Sequence, residues 1–247
     1  MTRQTSDASR TPVTAELPRR FLEQLVKAVG TKNVLTDPAD RWVYGYDNSR
    51  KHAPPDAVAH ATSHAQVADI VRACHEFGVP IVARGRGTNT TGATVPIQGG
   101  LVLSLERMDK ILAVDPANRA LRVEPGVLNQ TAQDEAGKHG FFWPPDPTSA
   151  AYCTVGGNIA LNAAGPRAVK YGATRENILG LVAVTGTGET IHTGCYTTKG
   201  AVGYDLTRLL IGSEGTLAVV TEATLKLTPL PESRRTLQAV YRDIRSA

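Results

Sequence analysis

Residues 84–92 read Arg-Gly-Arg-Gly-Thr-Asn-Thr-Thr-Gly and follow directly on the apolar run 79–83. A short apolar run bounded by turn residues is typical of a buried strand. The loop after it consists almost wholly of glycine and short polar residues, which leave backbone N–H groups open to a ligand. The stretch therefore predicts a loop that cradles the phosphates of a nucleotide cofactor. A tight surface connection between two strands is the alternative.

The elements around this loop predict a parallel sheet. Residues 56–60 form a candidate strand, and a candidate helix begins at its N-cap Ser63 and ends at Gly78. A second strand follows at 80–83, and a third at 101–105. For this order of strand, helix, strand, loop and strand we expect parallel pairing, with a right-handed crossover between the first two strands.

The second half of the chain predicts antiparallel pairing instead. Two hairpins are expected around the turns at residues 115–119 and 185–189, because short β-type runs flank each turn. The fold class is therefore α+β, in two subdomains. The expected helices cover residues 17–29, 128–139, 155–162 and 204–210, and the last two strands cover residues 216–220 and 223–227.

Composition excludes several classes of protein. The chain has 247 residues, 41% hydrophobic and 20% charged, which is typical of a soluble globular protein. Its net charge of +4 is spread without a block of Lys or Arg, so nucleic acid is not an expected partner. No apolar run reaches the ~18 residues of a membrane helix, and the start lacks the apolar core of a signal peptide. Cys74, Cys153 and Cys195 are few and far apart, which predicts buried free thiols in the cytoplasm.

Two common glycine-loop chemistries do not fit residues 84–92. A dinucleotide fingerprint places glycines as G-x-G-x-x-G at the start of a helix, but here the third glycine comes late, at Gly92, and a strand follows. A P-loop needs the string G-x-x-x-x-G-K followed by Ser or Thr, which the chain lacks. A nicotinamide-binding Rossmann domain and an ATPase are therefore disfavoured.

A second glycine cluster narrows the expected ligand. Residues 153–158 read Cys-Thr-Val-Gly-Gly-Asn, between a Pro-rich stretch at 143–149 and the turn at 162–166. Small side chains, amides and hydroxyls can lie against a flat polar ring and hydrogen-bond to its edge. A ring together with a pyrophosphate describes FAD. The alternative for the two glycines is a helix start that needs close packing, and the alternative for residues 212–215 is a plain turn.

Five motifs in order carry a family resemblance. Together they closely resemble the FAD-binding domain of FAD-linked oxidases of the vanillyl-alcohol oxidase type, over about residues 40–230. Within that family the chain is most similar to the flavin subunit of glycolate oxidase and to the D-lactate dehydrogenases. The motifs are Pro-Ile-Val-Ala-Arg-Gly-Arg-Gly-Thr-Asn-Thr-Thr-Gly at 80–92, Pro-Asp-Pro-Thr at 145–148, Thr-Val-Gly-Gly-Asn at 154–158, Gly-Pro-Arg-Ala-Val-Lys-Tyr-Gly at 165–172 and Gly-Ser-Glu-Gly-Thr-Leu at 212–217.

The resemblance implies a two-subdomain FAD-binding fold. A small parallel β-α-β subdomain is expected at about residues 54–110, and a larger, mainly antiparallel sheet with flanking helices at about 111–230. A cap domain would follow, with its first strand at 236–244. The expected boundaries are residues 1–14 for a polar leader, 15–53 for an N-terminal helical segment, 54–230 for the FAD-binding domain and 231–247 for the start of the cap.

The resemblance also implies which residues hold the cofactor. Backbone N–H groups of residues 84–91 are expected to hold the FAD pyrophosphate between the subdomains. Residues 147–148 and 154–158 are expected to contact the flavin and ribityl region, while 214–215 and nearby Val220 border the adenosine end. The expected set is Arg84, Gly85, Arg86, Gly87, Thr88, Asn89, Thr90, Thr91, Gly92, Pro147, Thr148, Thr154, Gly156, Gly157, Asn158, Gly165, Glu214, Gly215 and Val220.

Relatives that tether FAD covalently from this loop carry a histidine there. Residues 84–92 contain none, so FAD is expected to be bound non-covalently. No catalytic residue or metal site is identified. His60 and His64 have metal-ligand spacing for a helix, but a strand boundary falls between them, so a solvated pair is favoured.

The family implies oxidation of a small 2-hydroxy acid such as glycolate or D-lactate. A cap base would take the hydroxyl proton, a hydride would pass to flavin N5, and a quinone or cytochrome rather than NAD would accept the electrons. The cap would come from more of the protein or from a partner subunit. One alternative is an FAD-binding module that is catalytically silent without a partner chain. The expected location is the cytoplasm, or the membrane surface through an electron-transfer partner.

Overall fold

The structure is a computed structural model that describes residues 17–197 and 199–246. The expected polar leader, residues 1–14, lies outside the described residues. The described chain folds into two subdomains, each built on its own sheet. The fold is therefore the expected α+β arrangement.

The N-terminal helix α1 (Arg19–Val29) is amphipathic. Its apolar spacing buries Phe21, Leu25 and Val29 on one face. Gly30 ends the helix with a φ of 81°, a conformation that glycine adopts without strain. The expected helix is confirmed. The next elements are strand β1 (Val34–Leu35) and the one-turn helix α2 (Pro38–Arg41).

The first sheet is mostly parallel and has the order β1-β2-β4-β3. Strands β2 and β3 both pair in parallel with β4, and β1 pairs antiparallel with β2. The parallel arrangement is confirmed, but β4 lies between the two strands that the helix connects, so those two do not pair with each other. The elements are β2 (Ala57–His60), α3 (His64–Phe77), β3 (Ile81–Arg84) and β4 (Leu101–Ser104).

Helix α3 covers this sheet and has the ends that the sequence predicts. Ser63 accepts a hydrogen bond from the Gln66 amide at 3.4 Å as N-cap. Gly78 ends the helix in the left-handed conformation, with a φ of 64°. The helix buries its apolar face against α1 and the sheet, forming the first core. This packing fixes the carboxyl end of β3, where the glycine loop begins.

The second sheet is antiparallel and has the order β5-β6-β10-β8-β9. Its two expected hairpins, β5 with β6 and β8 with β9, are confirmed. Two very short strands, β7 (Phe141–Phe142) and β11 (Thr228–Pro229), pair beside it. The strands of the sheet are β5 (Ile111–Asp115), β6 (Ala120–Val123), β8 (Ile178–Thr185), β9 (Thr190–Gly194) and β10 (Ala218–Lys226).

Strand β10 corrects one expectation. The sequence predicts two strands, at 216–220 and 223–227, but the structure has one continuous central strand. A register irregularity between Val220 and Glu222 leaves Thr221 as an extra residue opposite β8. Glu222 is partly exposed and is paired with Arg122 of β6, at 2.6 Å between Oε1 and Nη2. The break between the two expected strands is thus a bulge within one strand.

Helices pack on one face of the second sheet and form the second core with it. Trp143, fully buried, lies in this core together with Val155 and Ile159 of α5. Val184 and Val219 of the second sheet reach instead into the first core, so the two subdomains share packing. The helices are α4 (Asn129–Lys138), α5 (Val155–Leu161), α6 (Ala168–Tyr171) and α7 (Leu206–Leu210).

The strand expected at residues 236–244 does not form. Residues 230–246 contain no helix or strand in the structure. Leu237, Val240 and Ile244 are about nine-tenths exposed, at 93%, 89% and 92%. A strand needs neighbouring backbone to pair with, and the described chain offers none to this segment.

Candidate functional site

A cleft of about 370 Å³ lies between the two subdomains. The loop after β3 forms one wall, the start of α5 forms another, and the turn before β10 forms a third. Seventeen of the nineteen expected residues line it; Gly92 and Gly165 do not. The expected residues that line the cleft are Arg84, Gly85, Arg86, Gly87, Thr88, Asn89, Thr90, Thr91, Pro147, Thr148, Thr154, Gly156, Gly157, Asn158, Glu214, Gly215 and Val220.

The loop after β3 presents a run of free backbone donors. The amides of residues 86–90 have no hydrogen-bond acceptor within the part of the chain that the structure describes. Gly87, in the middle of this run, has a φ of 63°. Successive free amides at a positive-φ turn form a concavity that binds anions. The loop therefore fits the pyrophosphate of a dinucleotide.

Asn89 shapes this loop from within. Its side chain is buried, and Oδ1 accepts hydrogen bonds from the amides of Thr91 and Gly92, at 3.1 and 3.2 Å. Its Nδ2 donates to Thr94 Oγ1 at 3.1 Å. The amides at 91 and 92 are thus engaged inside the protein. Thr91, whose amide was expected to hold the pyrophosphate, therefore has an acceptor within the protein, and residues 86–90 remain free.

The Arg84 side chain is hydrogen-bonded to the N-terminal segment, a feature that sequence reasoning missed. Its guanidinium is buried and donates to the carbonyl oxygens of Tyr46 at 2.7 Å and Val43 at 3.3 Å. It also donates to Thr94 Oγ1 at 3.1 Å. Burial lowers the pKa of the Arg84 guanidinium from its usual value. Arg84 therefore joins the loop to the N-terminal segment.

The wall opposite the loop is the start of α5. Thr154 caps this helix, and its Oγ1 accepts a hydrogen bond from the Gly157 amide at 3.1 Å. Gly156 lies against Pro125, since a Cβ on it would lie 2.6 Å from the proline Cβ. The close-packing alternative thus holds for Gly156, and the same glycine also lines the cleft.

Asn158 also has a structural partner. It is buried and donates from Nδ2 to Asn129 Oδ1 at 3.0 Å. Asn129 is fully buried at the start of α4, and its own Nδ2 has no acceptor among the described residues. Neighbouring Cys153 is buried too, and burial raises the pKa of its thiol. The floor of the cleft is therefore a buried polar cluster that links α4 to α5.

The third wall is a turn anchored on α5. The amides of Gly212 and Glu214 donate to the carbonyl oxygens of Ile159 and Ala160, at 3.0 and 2.9 Å. Glu214 and Gly215 both have positive φ, at 55° and 77°. Residues 212–215 thus have the shape of a turn, as the alternative interpretation expected. Ser213, Glu214 and Gly215 of this turn also line the cleft.

Gly165 is a packing position outside the cleft lining. A Cβ on it would collide with Asp146. Asp146 pairs with Arg167, at 3.0 Å between Oδ2 and Nε. The motif at 165–172 therefore positions the loop that carries Pro147 and Thr148. A contact between Gly165 itself and the cofactor stays a prediction.

Two expectations about isolated residues are wrong. His60 and His64 are not a solvated pair: His60 is 5% exposed, with Nε2 3.3 Å from Tyr44 Oη. His64 contacts Thr221 Oγ1 at 2.8 Å and a second threonine, on β9. Burial, reinforced by the charge of Arg107, lowers the pKa of His60 to about 4. The error on the histidines arises from long-range packing.

Cys74 and Cys153 are buried as expected, but Cys195 is exposed.

The fold and the cleft define a domain that binds a nucleotide cofactor between two α+β subdomains. The family model of the FAD binding domain matches residues 55–194. The chain therefore belongs to the FAD binding domain family, and its cofactor is FAD. The family, fold and cofactor that the sequence motifs predict are confirmed.

Similar proteins include a glycolate oxidase subunit and a D-lactate dehydrogenase. Glycolate oxidase subunit GlcD of Bacillus subtilis is 44% identical over 226 residues, which are 91% of this chain and 48% of that protein. A D-lactate dehydrogenase of Anaerostipes hadrus is 40% identical over 235 residues, 94% of this chain and 48% of that protein. The chain thus spans about half the length of these relatives.

A solved structure of an alkyldihydroxyacetonephosphate synthase has the same fold. The TM-score is 0.78 at 25% identity, over 88% of this chain and 45% of that one. Among the helices of residues 17–197 and 199–246, none combines the length and apolarity needed to cross a bilayer.

Proposed function

We propose that this chain is the FAD-binding part of an oxidoreductase that oxidises a small 2-hydroxy acid, of the glycolate or D-lactate type. One observation carries the proposal: a loop with five free amides, at 86–90, lines a cleft between two subdomains of an FAD-binding fold. The resemblance to glycolate oxidase subunit GlcD and a D-lactate dehydrogenase supports the substrate class.

In the proposed complex each wall of the cleft has its own task. The amides at 86–90 bind the pyrophosphate, and the segments at 147–149 and 154–157 lie beside the flavin and ribityl region. The turn at 213–215 and nearby Val220 border the adenosine end. Glycines at these positions let backbone approach a flat ring, while threonine hydroxyls donate and accept without bulk.

Bound FAD supplies the capacity to accept a hydride from the carbon that bears the substrate hydroxyl. The chain's own residues bind and orient the cofactor. Glu214 is the one carboxylate among the described lining residues, and no described histidine lines the cleft. We propose that the substrate base lies in a cap domain, supplied by more of the same protein or by a partner subunit. We propose a quinone or cytochrome as electron acceptor, reached in the cytoplasm or at the membrane surface.

A cleft-filling variant tests the site. Ala160 of α5 lines the cleft, and Ala164, four residues on, is exposed outside it. Ala160→Phe should weaken FAD binding by about tenfold or more, because the ring occupies cofactor space. Ala164→Phe should bind FAD like the wild type. Titration of apoprotein with FAD, followed by flavin fluorescence, measures both; equal affinities would refute the proposed site.

Turnover separates the proposal from its main alternative. If the chain is a module that is silent without a partner, it will bind FAD yet reduce no artificial dye with D-lactate or glycolate. Dye reduction by the isolated chain with either acid would instead show that the chain carries its own substrate site. Replacement of D-lactate by L-lactate provides the matched control.

A further inference from the structure

A segment outside the family match supports the pyrophosphate loop. The match begins at residue 55, but residues 43–51 contact the loop after β3 directly. The amide of Asn48 donates to the carbonyl of Asn89 at 3.0 Å, and its Nδ2 lies 3.3 Å from the carbonyl of Thr88. Asn48 therefore holds the loop backbone at two successive carbonyl groups.

The Arg84 guanidinium lies between this segment and the loop. It donates to two carbonyl oxygens of the segment, those of Val43 and Tyr46, and to Thr94 Oγ1 beyond the loop. It also contacts the ring of Tyr44, at 5.8 Å from its centroid. A buried cation with fixed acceptors on both sides joins them rigidly, because breaking any contact leaves a charged donor unpaired.

Thr94 connects Arg84 to a buried carboxylate. Its Oγ1 accepts from Arg84 and from Asn89 Nδ2, both at 3.1 Å, and donates to Asp47 Oδ2 at 3.2 Å. One hydroxyl can make all three bonds. Burial alone would raise the pKa of Asp47, but hydrogen bonds from Ser49 and Thr94 outweigh it and lower that pKa. Asp47 thus remains ionised and balances Arg84.

Gly87 shows where the guanidinium lies relative to the free amides. A Cβ on Gly87 would collide with Arg84 Nη2. The guanidinium therefore packs directly against the positive-φ turn at the centre of residues 86–90. Three of its five N–H groups are directed to Val43, Tyr46 and Thr94.

We propose that Arg84 is a positioning residue for the cofactor pyrophosphate. Its side chain holds the loop in the shape that presents the amides of 86–90, and the segment 43–51 is part of the cofactor site. Arg84 binds the protein's own carbonyls and not the pyrophosphate oxygens. This proposal rests on the cofactor site proposed above.

Two variants of Arg84 in the 247-residue chain test the proposal against a direct ionic role. Arg84→Met should raise the Kd for FAD by about tenfold or more, because the loop loses its support. Arg84→Lys should also raise it, since a lysine keeps the charge but lacks the planar fork that reaches three acceptors. Arg20→Met, which removes an exposed arginine of α1 outside the segment 43–51, should bind like the wild type.

Two further readouts identify positioning as the cause. The dependence of the Kd on salt should be unchanged in Arg84→Met, because no contact between a protein cation and the pyrophosphate is lost. Without FAD, the amides of Asn48, Thr91 and Gly92 should exchange hydrogen faster in this variant, since their acceptors lose support. A weaker salt dependence, or wild-type affinity in Arg84→Lys, would overturn the proposal.

The failure of this proposal differs from the failure of the site. If Ala160→Phe binds FAD as tightly as the wild type, the cleft assignment is wrong. If Ala160→Phe loses FAD while both Arg84 variants keep wild-type affinity, only the positioning role is wrong. If circular dichroism shows that Arg84→Met does not fold, Arg84→Lys and Asp47→Asn still test the positioning role. Asp47→Asn removes the balancing charge and should raise the Kd for FAD, as the Arg84 variants do.

Discussion

Gly85 and Thr154 bring the two subdomains into contact at the cleft. A Cβ on Gly85 would lie 2.5 Å from Thr154 Oγ1, closer than side chains approach one another. That Oγ1 cannot move freely because it accepts the hydrogen bond of the Gly157 amide at 3.1 Å. The loop after β3 and the start of α5 are therefore spaced by a glycine on one side and a capping hydroxyl on the other.

Gly85→Ala should separate these two walls. The new methyl group must displace either the loop or Thr154, which costs about 1–3 kcal/mol of unfolding free energy. FAD affinity should fall as well, because both walls line the cleft. Urea unfolding and FAD titration measure the two effects. Gly137→Ala is the matched control: its site in α4 has nothing within 4 Å, so the change should raise stability by up to ~1 kcal/mol.

A double variant shows whether the collision is the cause. Thr154→Ala removes Oγ1, so Gly85→Ala should cost less in that background than in the wild type. Equal cost in both backgrounds would mean that the methyl group is accommodated elsewhere.

Thr154→Ala alone should destabilise the chain by about 1 kcal/mol, because the Gly157 amide at the start of α5 loses its acceptor. Thr154→Ser keeps the hydroxyl and should recover most of that free energy. Chemical denaturation of the three proteins provides the test. If the serine variant is no more stable than the alanine variant, the cap does not account for the effect of Thr154.

His60 makes the stability of the first subdomain sensitive to acid. Its pKa is lowered to about 4 in the folded protein, against about 6.5 in an unfolded chain. The unfolded state therefore binds the proton more tightly, so stability is fully present above about pH 6.5 and falls as the pH drops towards 4. The shift corresponds to a loss of the order of 3 kcal/mol.

A variant without His60 isolates this contribution. In His60→Gln, unfolding free energies measured between pH 7 and pH 4.5 should fall less steeply than in the wild type. His75→Gln, at an exposed position of α3, should keep the wild-type slope. The same slope in all three proteins would show that other groups cause the acid sensitivity.

The order of helices and strands could largely be predicted from local sequence signals, but the details of the site could not. Glycines at 85, 87 and 215 marked the walls, because their small size or positive φ is a local requirement. Asn89 looked like a ligand contact, yet its side chain shapes the loop, since short amides bond to backbone two or three residues on. Neither the role of the Asn89 side chain nor the direction of the Arg84 side chain follows from the sequence. Each depends on which residues the fold places beside it.

Long-range partners also explain the other errors. His60 looked exposed at the end of a strand, but Tyr44, sixteen residues earlier, lies beside it. The apolar pattern of β4 fits either an edge or a central position in the sheet. The sequence therefore does not show that β4 lies between β2 and β3. The bulge at Thr221 separates the two runs that the sequence predicts as strands, and pairing with β6 and β8 joins them into one strand.

The manner of FAD attachment follows from the nucleophiles near the cleft. A covalent link to flavin needs a nucleophilic side chain, and the described lining residues include no histidine, cysteine or tyrosine. The nearest thiol, Cys153, is buried, and burial raises its pKa, which lowers the thiolate fraction that could react. Acid precipitation of the FAD-bound chain should therefore release the yellow cofactor into the supernatant. A coloured pellet from the wild type, and a colourless one from Cys153→Ser, would instead locate a covalent bond at Cys153.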